Sequence, residues 1–125
     1  SYNSVVLSTY SVPAELLKLE AFWIDSSTSQ RITTVEDTKP FKLVVKHNSN
    51  QSLNFALAVI ENTVVGEITP DIPASINGTM TGVVESSIFV VNRGDRSLTD
   101  RLTVKVISPR ESSDTVSPTI TFQPS

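Results

Sequence analysis

An all-β, two-sheet β-sandwich is the fold class this sequence predicts, on three observations. Apolar and polar residues alternate with a period of two in several short segments, the pattern of strands that bury one face. All 7 prolines fall between or at the ends of those segments, where a missing N–H removes no ladder hydrogen bond. No stretch carries a convincing helical period, and short strands with regular turn signals leave a sandwich or a small barrel.

Taken in order, residues 4–9 are the first strand candidate. Residues 17–24 begin by alternating and end in the apolar run Ala21-Phe22-Trp23-Ile24, as a strand does when both its faces become covered. The competing reading is a helix, because residues 14–20 are good helix formers behind Pro13; the strand is preferred. Residues 31–35 form a shorter candidate. In residues 41–47, Phe41, Leu43 and Val45 alternate with Lys42 and Lys46, and in residues 53–59, Leu53, Phe55, Leu57 and Val59 share one face. Asn48, Ser49, Asn50 and Gln51 between them predict a hairpin. Residues 63–68 and 81–85 are short candidates. Residues 88–91 and 102–106 predict a second hairpin across residues 92–96, with Gly94 supplying the tight connection. Residues 119–123 close the set. The whole chain, 1–125, reads as a single immunoglobulin-like domain of about seven to nine strands.

A chain of 125 residues buries roughly two thirds of its unfolded surface, enough for one core without bridges. The absence of cysteine removes disulfides, thiolate catalysis and Cys-based metal sites. Charged residues are only 18%, and Ser and Thr supply much of the polarity, a profile that suits a secreted or cell-surface β-protein. The net charge of -3 comes without any Lys/Arg run, which argues against nucleic acid and anionic lipid as partners. No stretch reaches the ~18 apolar residues that span a bilayer, so membrane attachment is expected only through an anchor preceding Ser1.

The residues that carry chemistry predict no catalytic site, no metal and no cofactor. His47 is the lone histidine and sits at a strand end without a triad or ligand partner in the pattern. Asp71, Asp95, Asp100 and Asp114 are scattered and match no calcium loop. Glu15 with Glu20, or Glu61 with Glu67, would be the carboxylate pairs for glycoside cleavage, but no aromatic cluster accompanies them. Gly66, Gly78, Gly82 and Gly94 are isolated and cradle no phosphate.

Three features point to recognition. Arg93-Gly94-Asp95 is the tripeptide that integrins read, at a predicted hairpin tip; the same residues also make an ordinary turn. Asn50-Gln51-Ser52 and Asn77-Gly78-Thr79 fit the N-glycosylation acceptor pattern in predicted loops, at a frequency this Ser/Thr content produces by chance. Val44, Ala56, Ala58 and Ile60 are expected on the outer face of the first hairpin, an apolar strip where solvent favours charge. That strip is the candidate interface, for a protein partner or for a homodimer; the alternative is that a loop or the N-terminal strand covers it.

The strand pattern from Phe41 to Ile107, with its Asn/Ser turn and the long connection through Pro70-Asp71-Ile72-Pro73, resembles prokaryotic cell-surface immunoglobulin-like modules. In size, composition and lack of cysteine it resembles the ectodomain of the archaellum stator protein F family. That resemblance implies a membrane-anchored component of a motility organelle, contacting the S-layer outside the cell. The polysaccharide-binding sandwich of O-antigen export ATPases is similar in the same coarse sense. The functional expectation is therefore a non-catalytic extracellular structural or adhesive domain; the alternative is a carbohydrate-binding module.

Overall fold

The computed structural model describes residues 16–78 and 80–124, and in them eleven strands and no helix. The strands are β1 (Leu19–Asp25), β2 (Arg31–Ile32), β3 (Thr34–Val35), β4 (Phe41–His47), β5 (Asn54–Asn62) and β6 (Gly66–Thr69). They continue with β7 (Ser75–Asn77), β8 (Val83–Glu85), β9 (Val90–Arg93), β10 (Asp100–Ile107) and β11 (Thr119–Phe122). The strand candidate at residues 4–9 lies outside the described residues. The predicted segment 17–24 forms a strand from Leu19, with Leu17 in an isolated bridge to Ser112: the neighbours of β1 fix its register, Leu19 opposite His47 through Asp25 opposite Phe41.

One sheet has four strands in the order β2-β1-β4-β8, the other has five in the order β3-β11-β10-β5-β7, and β6 pairs with β9 in a two-stranded ribbon. The strand count exceeds the expected one because the segment 31–35 divides between two sheets and because β7, not foreseen in the pattern, pairs with β5. Around Thr33, β2 leaves β1 and β3 joins β11 in parallel, so one predicted strand serves both layers.

Neither predicted hairpin forms. β4 pairs with β1 and β8, whereas β5 pairs with β10 and β7, so residues 48–53 arch from one sheet to the other. Likewise β9 pairs with β6 and not with β10. Two strands that both alternate pack equally well face to face across a core or edge to edge within a sheet, and local sequence does not choose.

The core lies between the two large sheets. Phe41, Leu43, Val45, Phe55, Leu102, Val104 and Val106 are buried in it, on the faces the alternation assigns them. At its centre Phe41 meets Trp23 at 5.6 Å, Phe122 at 5.6 Å and Phe89 at 5.9 Å between ring centroids, tilted or edge-on as the ring quadrupoles favour. Trp23 Nε1 donates to the Pro118 carbonyl at 3.2 Å, so the indole is buried without an orphaned N–H.

Candidate functional site

The strip expected on one hairpin is divided between two sheets. Ala56, Ala58 and Ile60 lie on β5, while Val44 lies on β4 in the opposite layer. On β5, Phe55 points into the core, so Ala56 and Ala58 face outward opposite Ile107 and Lys105 of β10. The register shifts at Thr103/Val104, leaving Ile60 as the extra residue of a β-bulge. Ile60 is 57% exposed and Ile107 42%. Together with Ala56 and Ala58 they form an apolar strip bordered by Lys105 and by the Arg101–Glu61 pair, whose Nε–Oε1 distance is 3.2 Å.

Val44 is buried although it belongs to no part of the inter-sheet core. It sits between Phe22 on β1 and Glu85 on β8, its register partners. With Phe22 and Ile24 it lines a shallow depression on the outer face of the four-stranded sheet. Arg31 lies over the Phe22 ring at 3.8 Å from its centroid and pairs with Glu20; Lys42 pairs with Glu85 at 3.0 Å. The charged ends thus roof an apolar floor, and their aliphatic stems cover surface that the sequence pattern leaves exposed.

The integrin reading ends at Arg93. Its side chain is fully buried, with Nη1 donating to the Leu98 carbonyl at 2.5 Å, the Phe122 carbonyl at 3.2 Å and Asp100 Oδ2 at 3.4 Å. Nη2 donates to the Gln123 carbonyl at 2.7 Å. Asp37 accepts the Arg93 backbone N–H at 2.9 Å and pairs with Arg96 Nε at 3.3 Å. Asp95 is held locally: the Ser97 hydroxyl, then the Ser97 N–H, lower its pKa below the usual carboxylate value. A tripeptide whose guanidinium is locked inside the fold presents no ligand to a receptor.

The remaining candidates are dispersed. His47 packs against Phe55 with 5.8 Å between ring centroids, and its Nδ1 accepts the Ser49 N–H at 3.2 Å. Its pKa is lowered, by burial first and by the nearby Arg110 charge second. Glu61 is engaged by Arg101 on the outer face, whereas Glu67 lines a cleft on the other side of β5, so the two carboxylates do not converge. Asn50 and Asn77 are both exposed. The Ser52 hydroxyl donates to the Gly78 carbonyl, which brings the two acceptor patterns to one corner of the fold. Among the described residues no group of three or more His, Asp or Glu is placed to hold a metal.

A cleft of about 700 Å³ lies between β5 and β6, lined by Val59, Asn62, Gly66, Glu67, Ile68, Thr69, Pro70, Asp71 and Ile72. Val59 was expected on the core face; it does point that way, yet is 45% exposed because β6 pairs with β9 and leaves it uncovered. Sequence alternation identifies the face of such a residue but carries no signal for the cleft.

No protein-family model and no curated protein matches the chain. Among solved structures it is similar to a family 123 glycoside hydrolase from Clostridium perfringens, an enzyme of glycolipid glycan hydrolysis. The TM-score is 0.50 at 12% identity, over 84% of this chain and 27% of that one. At that identity the likeness is one of fold, and this chain spans about a quarter of the enzyme's length.

Proposed function

We propose that this domain is a non-catalytic interaction module of the cell surface, acting through the outer face of the five-stranded sheet. The observation that carries the reading is Ile60, more than half exposed beside Ala56, Ala58 and Ile107 on a sheet otherwise edged with Thr, Lys and Arg. An apolar strip in that position has no folding role, and pairing it with its own copy across a two-fold axis buries it symmetrically. The strip is small, which suits the transient class of interfaces below about 1,200 Å². The finer form of the proposal is a stator-type component anchored by an N-terminal membrane helix and touching a surface-layer protein; the sandwich fold and the absence of cysteine are what support it.

Sedimentation across a concentration series tests the reading. Wild type is expected to associate at high concentration, and Ile60→Lys to stay monomeric with an unchanged melt, since two like charges would meet near the symmetry axis. A wild type that stays monomeric, or an Ile60→Lys protein that unfolds, removes it.

A second reading, a carbohydrate-binding module, draws on the likeness to a glycan-hydrolysing enzyme. Sugar rings stack on exposed aromatic faces, but among the described residues Trp23, Phe41, Phe55, Phe89 and Phe122 are buried and Phe22 lies under Arg31. Calorimetry with glycolipid glycans separates the two readings.

A further inference from the structure

We propose that the cleft between β5 and β6 docks an extended segment of a partner protein, added as a strand to the open edge of β5, with a Lys or Arg side chain lowered into the cleft.

The edge follows from the register. β7 accompanies β5 only from Asn54 to Ala56, and Leu57 adds one more bond, its N–H to the Ala74 carbonyl at 2.9 Å. On β10, Val104 and Val106 direct their N–H groups away from β5, to the carbonyls of Pro118 and Val116. Their partners Val59 and Leu57 therefore occupy non-hydrogen-bonded positions, with N–H and C=O turned away from β10. Leu57 finds Ala74; Val59 has no such partner among the described residues. Asn62 stands opposite Leu102, which has the same parity as Val104, while the next residue, Thr63, bonds back to the Arg101 carbonyl at 3.0 Å. The Asn62 backbone thus faces the same open edge.

The cleft beside that edge is built by one glycine and one bulge. Gly66 has φ +135, and a Cβ there would lie 2.1 Å from the Asn92 carbonyl oxygen, so only glycine lets β6 press this closely on β9. β6 is thus paired with β9 and not with β5. The extra residue Ile60 places Val59 and Asn62, three positions apart, on one side of β5, both lining the cleft. The bulge also restricts pairing to a short stretch, so the cleft and not a long ladder sets specificity.

Its chemistry selects the occupant. Val59, Ile68 and Ile72 are apolar, and the charged groups of the lining are the carboxylates Glu67 and Asp71. A side chain with a long aliphatic stem and a cationic tip matches both, and a volume of about 700 Å³ is of ligand-pocket size. Strand addition supplies backbone hydrogen bonds, and the pocket reads the side chain.

The probe is an acetylated, amidated nonapeptide of alternating Thr and Lys, titrated into ¹⁵N-labelled protein. Shifts centred on the amides of Val59 and Asn62 are expected, with binding about tenfold weaker for Glu67→Gln/Asp71→Asn. The Lys46→Ala variant, exposed on β4 in the opposite sheet, is expected to bind as wild type does. A Thr/Glu peptide of the same length is expected not to bind, nor is a Thr/Lys peptide N-methylated at alternate amides. No shift at millimolar peptide, equal binding of the Glu peptide, or shifts centred on Ala56 and Ile107 overturn the proposal.

Discussion

Replacing Arg93 by Ala tests the reassignment of the Arg-Gly-Asp turn from ligand to structural clamp. Arg93 and Asp100 are 0% and 5% exposed at the side chain, so solvent screens their interaction little. Removing the guanidinium leaves the Asp100 carboxylate buried without its cation, and strips a donor from the carbonyls of Leu98, Phe122 and Gln123. Breaking a buried pair from one side costs about 3–5 kcal/mol, and the lost carbonyl partners place this site in the upper part of that range. Arg96, whose side chain is 57% exposed in its pair with Asp37, gives the contrast: Arg96→Ala is expected to cost about 1 kcal/mol or less. Urea denaturation of wild type and both variants, fitted with m held in common, reads the difference. Equal losses, or an Arg93→Ala loss below about 1 kcal/mol, would mean that Arg93 is solvated and that the tripeptide is open to a partner after all. Arg93→Lys is expected to rescue only part of the loss, because an ammonium lacks the planar fork that reaches four carbonyls and a carboxylate together.

Two further expectations concern the core and pH. Phe55→Ala, at a fully buried site, is expected to cost about 3–5 kcal/mol, and Lys46→Ala, exposed on the outer face of β4, less than about 0.5 kcal/mol. Chemical denaturation checks this pair, and reversed costs would mean a one-residue slip of register. His47 has a folded pKa below its ordinary 6.5, so between the two values the unfolded chain binds the extra proton. Its contribution is fully present above about pH 6.5 and is lost as pH falls from there toward the folded value. Denaturation midpoints from pH 7.5 down to 5 are expected to fall more steeply for wild type than for His47→Gln; parallel slopes would show that His47 titrates freely.

The sequence by itself determined the longer strands and the core-facing residues of β4 and β10, though neither the short β7 nor the burial of Val44 on an outer face was legible in it. The alternation of Phe41, Leu43 and Val45, or of Leu102, Val104 and Val106, is a local property of a pleated chain, and each of these residues is in the core. What only the tertiary structure decided is which strand lies beside which. Hydrogen bonds at a strand edge are made by the backbone, identical at every residue, so the pattern of side chains does not say whether β4 closes on β5 or arches over it. On that choice hung the fate of the recognition candidates: it parted Val44 from Ile60, turned Arg93 inward onto Asp100, and left Val59 beside an open edge. Faces are written in the period of the side chains, and neighbours are settled by which arrangement buries those faces together, a property of the whole chain at once.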